Sequence, residues 1–148
     1  MMVKNILYFI LILFFVLLLF NLSAPTGDLN IKYVNFSGAR VKVDIASTPA
    51  SLARGLSGRP SLRSDEGLLF IFDQPGRYSF WMKDMNFPID IIWLTADLNV
   101  AYIKKDASPD SYPATFESPE DAQYVLEVVA GFAERNNIKA GDRVEFEY

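Results

Sequence analysis

Much of the chain beyond residue 28 alternates between apolar and polar positions with a period of two, which is typical of β-strands. In the stretch ARVKVDI, residues 39–45, four apolar side chains alternate with an arginine, a lysine and an aspartate. Other short apolar runs are separated by turn-forming residues, and they predict strands at 31–36, 67–72, 78–82, 89–94, 100–103, 123–129 and 143–146. We expect the strands between residues 67 and 103 to form an antiparallel meander.

Two short helices are predicted to interrupt these strands. Thr48 can cap a helix that has Pro49 at its first position, and Gly55 can end that helix after barely two turns. A second short helix is predicted over residues 132–136, and residues 104–121, with three prolines, predict a long irregular loop. The pattern therefore predicts an α+β fold that is mostly β, with a compact, partly closed antiparallel β architecture and two short helices.

The apolar run ILYFILILFFVLLLF, residues 6–20, contains no charge, and Lys4 is the only charged residue before it. A run that approaches about 17 apolar residues can span a bilayer, so we predict an N-terminal hydrophobic helix within residues 1–22. We favour a membrane anchor over a cleaved signal peptide, because the residues before Pro25 only partly resemble a cleavage site. Residues 23–28 read as a linker, and 29–148 as a single globular domain.

This organisation predicts a location on the extracytoplasmic side of the cell membrane. An uncleaved segment would make the protein single-pass, with the membrane as a partner through that segment. A cleaved segment would instead leave the domain secreted or periplasmic.

Charge and missing residue types exclude several kinds of chemistry. The chain has no histidine and no cysteine, which excludes Ser-His-Asp catalysis, thiolate chemistry, disulfides and the usual zinc sites. Its net charge of −4 disfavours binding to nucleic acid. The acids of the 104–121 loop lack the spacing of a calcium loop, so we predict no metal and no cofactor.

The stretch FWMKDMNFPIDIIW, residues 80–93, places charged residues in strongly apolar surroundings. Strand alternation puts Asp90 on one face with Ile92 and Leu94, so this carboxylate needs a partner or must become neutral. Glu127, between valines in YVLEVV, poses the same problem. The expected partners of these acids are Arg54, Arg59 and Lys83.

Two interpretations of these residues remain open. Asp90 and Glu127 can belong to a structural network in the core, which is the interpretation that we favour. Alternatively, charged side chains line a cleft with Trp81 at its floor. The candidate ligand-binding residues are Arg54, Arg59, Trp81, Lys83, Asp84 and Asp90, and no catalytic residue is assigned.

Three stretches, RGLSGRPSLRSDEGLLFIF, FWMKDMNFPIDIIWL and YVLEVVAGFAERNNIKAGDRV, occur in this order along the chain. With this order and spacing, the sequence resembles the prokaryotic domain-of-unknown-function family 192, a set of uncharacterised conserved proteins that often carry an export signal. The resemblance covers about residues 41–146 and implies a mostly β fold with no established activity. The chain departs from the family pattern at Ser57 and at Asp84-Met85, and the acid at position 84 adds charge to any pocket there.

Three classes of function follow, in order of preference. The first is an extracytoplasmic module that binds a small polar ligand or an envelope component. The second is an accessory module that offers a strand edge or groove to an envelope protein. The third is a carboxylate-dependent hydrolase that uses Glu66 with Asp84 or Asp90; we place it last because one long loop encloses little substrate. An enzyme is therefore the less favoured interpretation.

Overall fold

The computed structural model describes residues 30–148. In this part of the chain, the elements are β1 Tyr33–Phe36, β2 Ala39–Ala46, α1 Pro49–Arg54, β3 Glu66–Gly76, β4 Phe80–Trp81, β5 Ile89–Leu94, β6 Val100–Ala107, β7 Thr115–Phe116, β8 Ala122–Val129, α2 Phe132–Arg135 and β9 Glu145–Glu147. The predicted mostly β fold with two short helices is confirmed. The predicted hydrophobic helix and linker lie outside the described residues, and no helix within residues 30–148 is long and apolar enough to cross a bilayer.

Seven strands form one sheet in the order β6-β5-β8-β3-β2-β1-β9, and β4 pairs with β7 in a separate ribbon. The predicted meander is wrong, because β8 lies between β3 and β5 and because β4 leaves the sheet. An interior position, between two other strands, suits β8, since strands with apolar residues on both faces gain most from burial. The sheet is also not wholly antiparallel. The β2 and β3 strands are parallel, and the connection through α1 makes this pairing possible.

The sheet curls, and its two ends are connected by backbone hydrogen bonds. The amide of Val100, at the start of the edge strand β6, donates to the carbonyl of Asp142 at 2.8 Å. The amide of Gly141 donates back to the Val100 carbonyl at 2.8 Å, and Val144 donates to Leu98 at 2.9 Å. These bonds join the β5–β6 turn to the segment that leads into β9.

Apolar residues cover both faces of the sheet and form two cores. Ile92 and Leu94 belong to the first core, whereas Ile89, Ile91 and Trp93 belong to the second, as strand alternation predicts. The first core also contains α2, and the second lies beneath α1 and the β4–β7 ribbon. The candidate site lies on the face of the sheet that carries the second core.

The α1 helix has the predicted boundaries. The Thr48 side chain accepts a hydrogen bond from the Ser51 amide, and the Ser51 hydroxyl accepts one from the Thr48 amide, which completes a capping box. Pro49 occupies the first turn, and Gly55 ends the helix with a φ of 52°. The backbone after Gly55 therefore turns sharply toward the sheet.

The predicted irregular loop over residues 104–121 is partly wrong. The β6 strand continues to Ala107, and a 3-10 turn follows at Pro109–Ser111. Thr115 and Phe116 then form β7 against β4. The pairing fixes the backbone of Trp81, which lies opposite Thr115.

Candidate functional site

A cavity of about 150 Å³ opens between the end of α1, the start of β4 and the second face of the sheet. Residues 52–57 provide one wall, and Met85 contributes to the lining. The opposite wall is aromatic, and the acid Glu127 lies in the lining on the β8 side. The aromatic side chains are Phe70, Phe72, Tyr78, Phe80 and Trp81.

Glu127 projects from the middle of β8, between Leu68 on β3 and Ile91 on β5. It is 4% exposed, and its Oε2 atom has no hydrogen-bond partner among the described residues. Burial raises the pKa of Glu127 to about 8, and the charge of Arg59 opposes that rise. The carboxyl group is therefore largely protonated at neutral pH.

The aromatic wall is held in place by the core. Phe80 contacts Phe70 edge-to-face at a centroid distance of 4.8 Å and contacts Trp93 at 5.7 Å. Phe72 and Tyr78 stack at 3.5 Å, and the Tyr78 hydroxyl donates to the carbonyl of Gln74. The rings are fixed by these contacts before any ligand arrives, which lowers the entropic cost of binding.

Two side chains that line the cavity also reach solvent. Trp81 is 49% exposed and contacts the half-exposed Tyr112 edge-to-face at 5.9 Å. Arg54 lies in the last turn of α1 and is exposed. The Lys83 ammonium lies 5.8 Å from the Trp81 ring, outside the lining itself. The mouth of the cavity is thus aromatic and positively charged.

Gly55 preserves the space around the buried acid. A methyl group at this position would lie 3.3 Å from the Phe70 ring and 3.8 Å from Oε2 of Glu127. Its φ of 52° also disfavours any larger residue. A side chain at position 55 would fill part of the cavity above the carboxyl group.

The sequence profile of the domain-of-unknown-function family 192 (DUF192), described as "Uncharacterized ACR", matches residues 32–146. The chain belongs to the DUF192 family. No curated protein is significantly similar to it.

Two solved structures are similar to this DUF192 domain. A protein of unknown function from Novosphingobium aromaticivorans DSM 12444 is 33% identical, with a TM-score of 0.74; the match covers 82% of this chain and 89% of that one. A protein from Sinorhizobium meliloti 1021, described as a "putative transcription regulator", is 30% identical, with a TM-score of 0.72 and coverage of 77% and 90%. These likenesses support the fold and assign no activity to the chain.

The structure separates the six candidate binding residues. Within this DUF192 domain only Arg54 and Trp81 line the cavity. Arg59 instead bonds the Asp44 carboxylate at 2.8 Å. Lys83 and Asp84 are exposed beyond the lining, and the Asp84 carbonyl accepts the amide of Gly58 at 2.8 Å. This backbone hydrogen bond holds the loop after α1 beside the segment that follows β4.

Asp90 is fully buried on the opposite face of the sheet from the cavity. The expected arginine or lysine partner is replaced by backbone amides. Oδ1 accepts the amides of Asp106 at 2.9 Å and Gly131 at 3.2 Å, and Oδ2 accepts that of Ala133 at 2.9 Å. Three such bonds can offset the cost of burying the carboxylate. Asp90 thus connects β5 to the end of β6 and to the first turn of α2.

Several residues that line the cavity were not predicted from the sequence. Phe70, Phe72 and Tyr78 resembled ordinary core residues, since strand periodicity does not tell a core face from a cavity wall. Glu127 was recognised as a buried acid, but a cationic partner was expected for it. The available signal was that its neighbours along the same strand face, Val125 and Val129, are apolar.

The other candidate acids do not gather around Glu127. Glu66 begins β3, where its carboxylate lies 3.8 Å from Arg63. Among residues 30–148, Glu127 is the only acid that lines the cavity, and no three acidic side chains are grouped as metal ligands would be. The site therefore offers one buried carboxyl group within aromatic walls.

Proposed function

We propose that this DUF192 domain binds a small ligand in the cavity, with Glu127 as its polar contact. The observation that carries the proposal is that Glu127 lines the cavity while its buried Oε2 atom has no hydrogen-bond partner among the described residues. A buried polar group left without a partner costs about 1–3 kcal/mol. A ligand that supplies the missing partner removes that cost and gains binding free energy.

The walls support the same proposal. Binding sites for small molecules are typically apolar and aromatic, with a few polar groups that orient the ligand. Here five aromatic side chains surround a single acid, and the exposed Trp81 and Arg54 stand at the mouth. This arrangement suits a compact ligand that has one polar group buried and the rest near solvent.

We further propose that the domain works on the extracytoplasmic side of the membrane, where the ligand is an envelope component or a solute. The support is the uncharged apolar run of residues 6–20 with Lys4 before it. The Sinorhizobium protein is described as a transcription regulator, but we propose no regulatory role for this chain, because a net charge of −4 disfavours contact with DNA.

A hydrolase is less well supported by the geometry. Glycoside hydrolysis ordinarily requires two carboxyl groups on either side of the scissile bond. Within the described residues, Glu127 is the only carboxyl group that lines the cavity, and Asp90 lies on the other face of the sheet.

The accessory-module alternative is also disfavoured, because hydrogen bonds join the sheet's two ends and thereby shorten its free edges.

A thermal-shift screen tests the proposal. The full chain, in a non-ionic detergent, is screened against sugars, muropeptides, nucleotides, amino acids and amines, with Trp81→Ala beside it. Tyr148→Ala is the matched control, because Tyr148 is an exposed aromatic residue outside the cavity. We expect a ligand that raises the melting temperature of the parent and of Tyr148→Ala, but not of a folded Trp81→Ala. If every ligand that binds does so equally to Trp81→Ala, the proposal is wrong.

A further inference from the structure

We propose that the ligand is a small organic cation, whose ammonium group lies against the carboxylate of Glu127 between the aromatic side chains. This inference deepens the proposed function and rests on it. It concerns the charge of the ligand, which the presence of a cavity alone does not determine.

The first argument is the lack of an internal counter-charge. Among the described residues, Arg59 is the cation whose charge acts on Glu127, but its guanidinium is bonded to Asp44 at 2.8 Å. Oε2 accepts no hydrogen bond from any described residue. Ionised Glu127 would be a buried carboxylate without a counter-ion, so the acid holds its proton unless a cation in the cavity supplies the missing charge.

The second argument is the composition of the walls. Aromatic rings carry negative charge density on their faces and attract cations within about 6 Å of the ring centre. Five aromatic side chains line this cavity, and two of them, Phe72 and Tyr78, are stacked on each other. An acid combined with several aromatic rings is the environment that stabilises alkylated ammonium groups.

The third argument is size. The cavity volume of about 150 Å³ lies below the range of about 300–1,000 Å³ that is common for drug-sized ligands. Such a cavity is large enough for a small ammonium group and too small to enclose an oligosaccharide or a nucleotide. Arg54 and Lys83 do not prevent entry of a cation, because both side chains are exposed near the mouth, where water and salt screen their charges.

The inference predicts a dependence on pH that a neutral ligand would lack. With a pKa of about 8, Glu127 is mostly protonated near pH 6, and a cation favours the ionised form. The other ionisable groups that face Glu127 or line the cavity are Arg59, Arg54 and Tyr78. Cation affinity should therefore rise about tenfold per pH unit from about pH 6 and level off above about pH 8, with proton release on binding.

The experiment is isothermal titration calorimetry of the full chain in detergent, with choline and methylammonium as cationic probes; methylammonium carries N–H groups that can donate to Oε2 of Glu127. The neutral probe is 3,3-dimethylbutan-1-ol, which has the shape of choline without its charge. Titrations at about pH 6, 7 and 8.5, in buffers of different ionisation enthalpy, measure affinity and proton release together. Glu127→Gln removes the charge at constant size, and Glu145→Gln is the control, because Glu145 is an exposed acid on β9.

We expect both cations to bind the parent and Glu145→Gln with the stated pH dependence, and to bind Glu127→Gln at least tenfold more weakly. The pH series on the parent tests the inference without relying on any variant. If the neutral probe binds as tightly as choline, or if cation binding is independent of pH, the cation inference is wrong and the proposed binding function stands. If neither these probes nor any member of the ligand screen binds the folded protein, both are wrong.

Discussion

Asp90 and Glu127 lie on neighbouring strands of the sheet, and their carboxyl groups point to opposite faces. In the β5–β8 pairing, Asp90 lies opposite Val128, and Ile91 lies opposite Glu127. On one face, three backbone amides satisfy Asp90. On the other, Glu127 has an oxygen without a partner beside the cavity. The two buried acids therefore differ in their surroundings, and the binding role that we propose belongs to Glu127 alone.

We expect Glu127→Gln to stabilise the protein at neutral pH. Burial raises the pKa of Glu127 from 4.5 to about 8, so between these values the folded state holds a proton that the unfolded state lacks. Glu127 therefore makes the parent less stable as pH rises, by about 1.4 kcal/mol per pH unit. Urea unfolding of both proteins at about pH 5, 6, 7 and 8 measures the difference, which should widen with pH. Parallel curves would contradict the prediction.

Asp90→Asn should destabilise the fold strongly. Asp90 is fully buried and accepts three backbone amides, whereas the asparagine amide nitrogen would face one of these donors. We expect a loss of about 2–3 kcal/mol in the free energy of unfolding. Urea denaturation measures it, and Asp97→Asn, at an exposed turn, is the control. Equal stability of the two variants would show that the three amides do not require the charge.

Gly67→Ala should be among the most damaging small substitutions. A Cβ atom at position 67 would lie 2.8 Å from the carbonyl oxygen of Glu127 and 3.0 Å from the Val41 side chain. Backbone cannot move aside cheaply within a sheet, so we expect a loss of about 3 kcal/mol. Gly76→Ala is the matched control, since its nearest contact, to Tyr78, is 3.4 Å. The prediction fails if thermal unfolding finds both variants equally stable.

Thr48→Ala should loosen the wall of the cavity that α1 provides. The substitution removes the side-chain oxygen that accepts the Ser51 amide, and such caps contribute about 1 kcal/mol. We expect lower stability and faster amide exchange near the start of α1, measured by hydrogen exchange. Ser47→Ala removes a neighbouring hydroxyl that makes no hydrogen bond among the described residues, so it should change neither quantity. Unchanged exchange in Thr48→Ala would show that packing alone holds the helix.

Local signals in the sequence predicted the local structure well. Thr48, Pro49 and Gly55 set the limits of α1, and alternation assigned the residues of β5 to the two faces of the sheet. The resemblance to family 192 is also confirmed. These features depend on residues close together in the chain, where periodicity and capping chemistry carry the information.

Contacts between distant segments could not be predicted. The donors to Asp90 are backbone amides of residues 106, 131 and 133, and every residue type except proline offers such an amide. Arg59 was expected to neutralise a buried acid, but it bonds Asp44 instead. The position of β8 between β3 and β5 is likewise invisible to strand periodicity. It places Glu127 next to aromatic residues that precede it by more than forty positions.

The order of strands in the sheet has a consequence during protein synthesis. The apolar strand β3 ends at Gly76, but its partner β8 begins only at Ala122. At about 5–20 residues per second, the ribosome needs roughly 2–9 seconds to make the chain between them. During that interval one edge of β3 has no partner, and it can pair with other chains and promote aggregation.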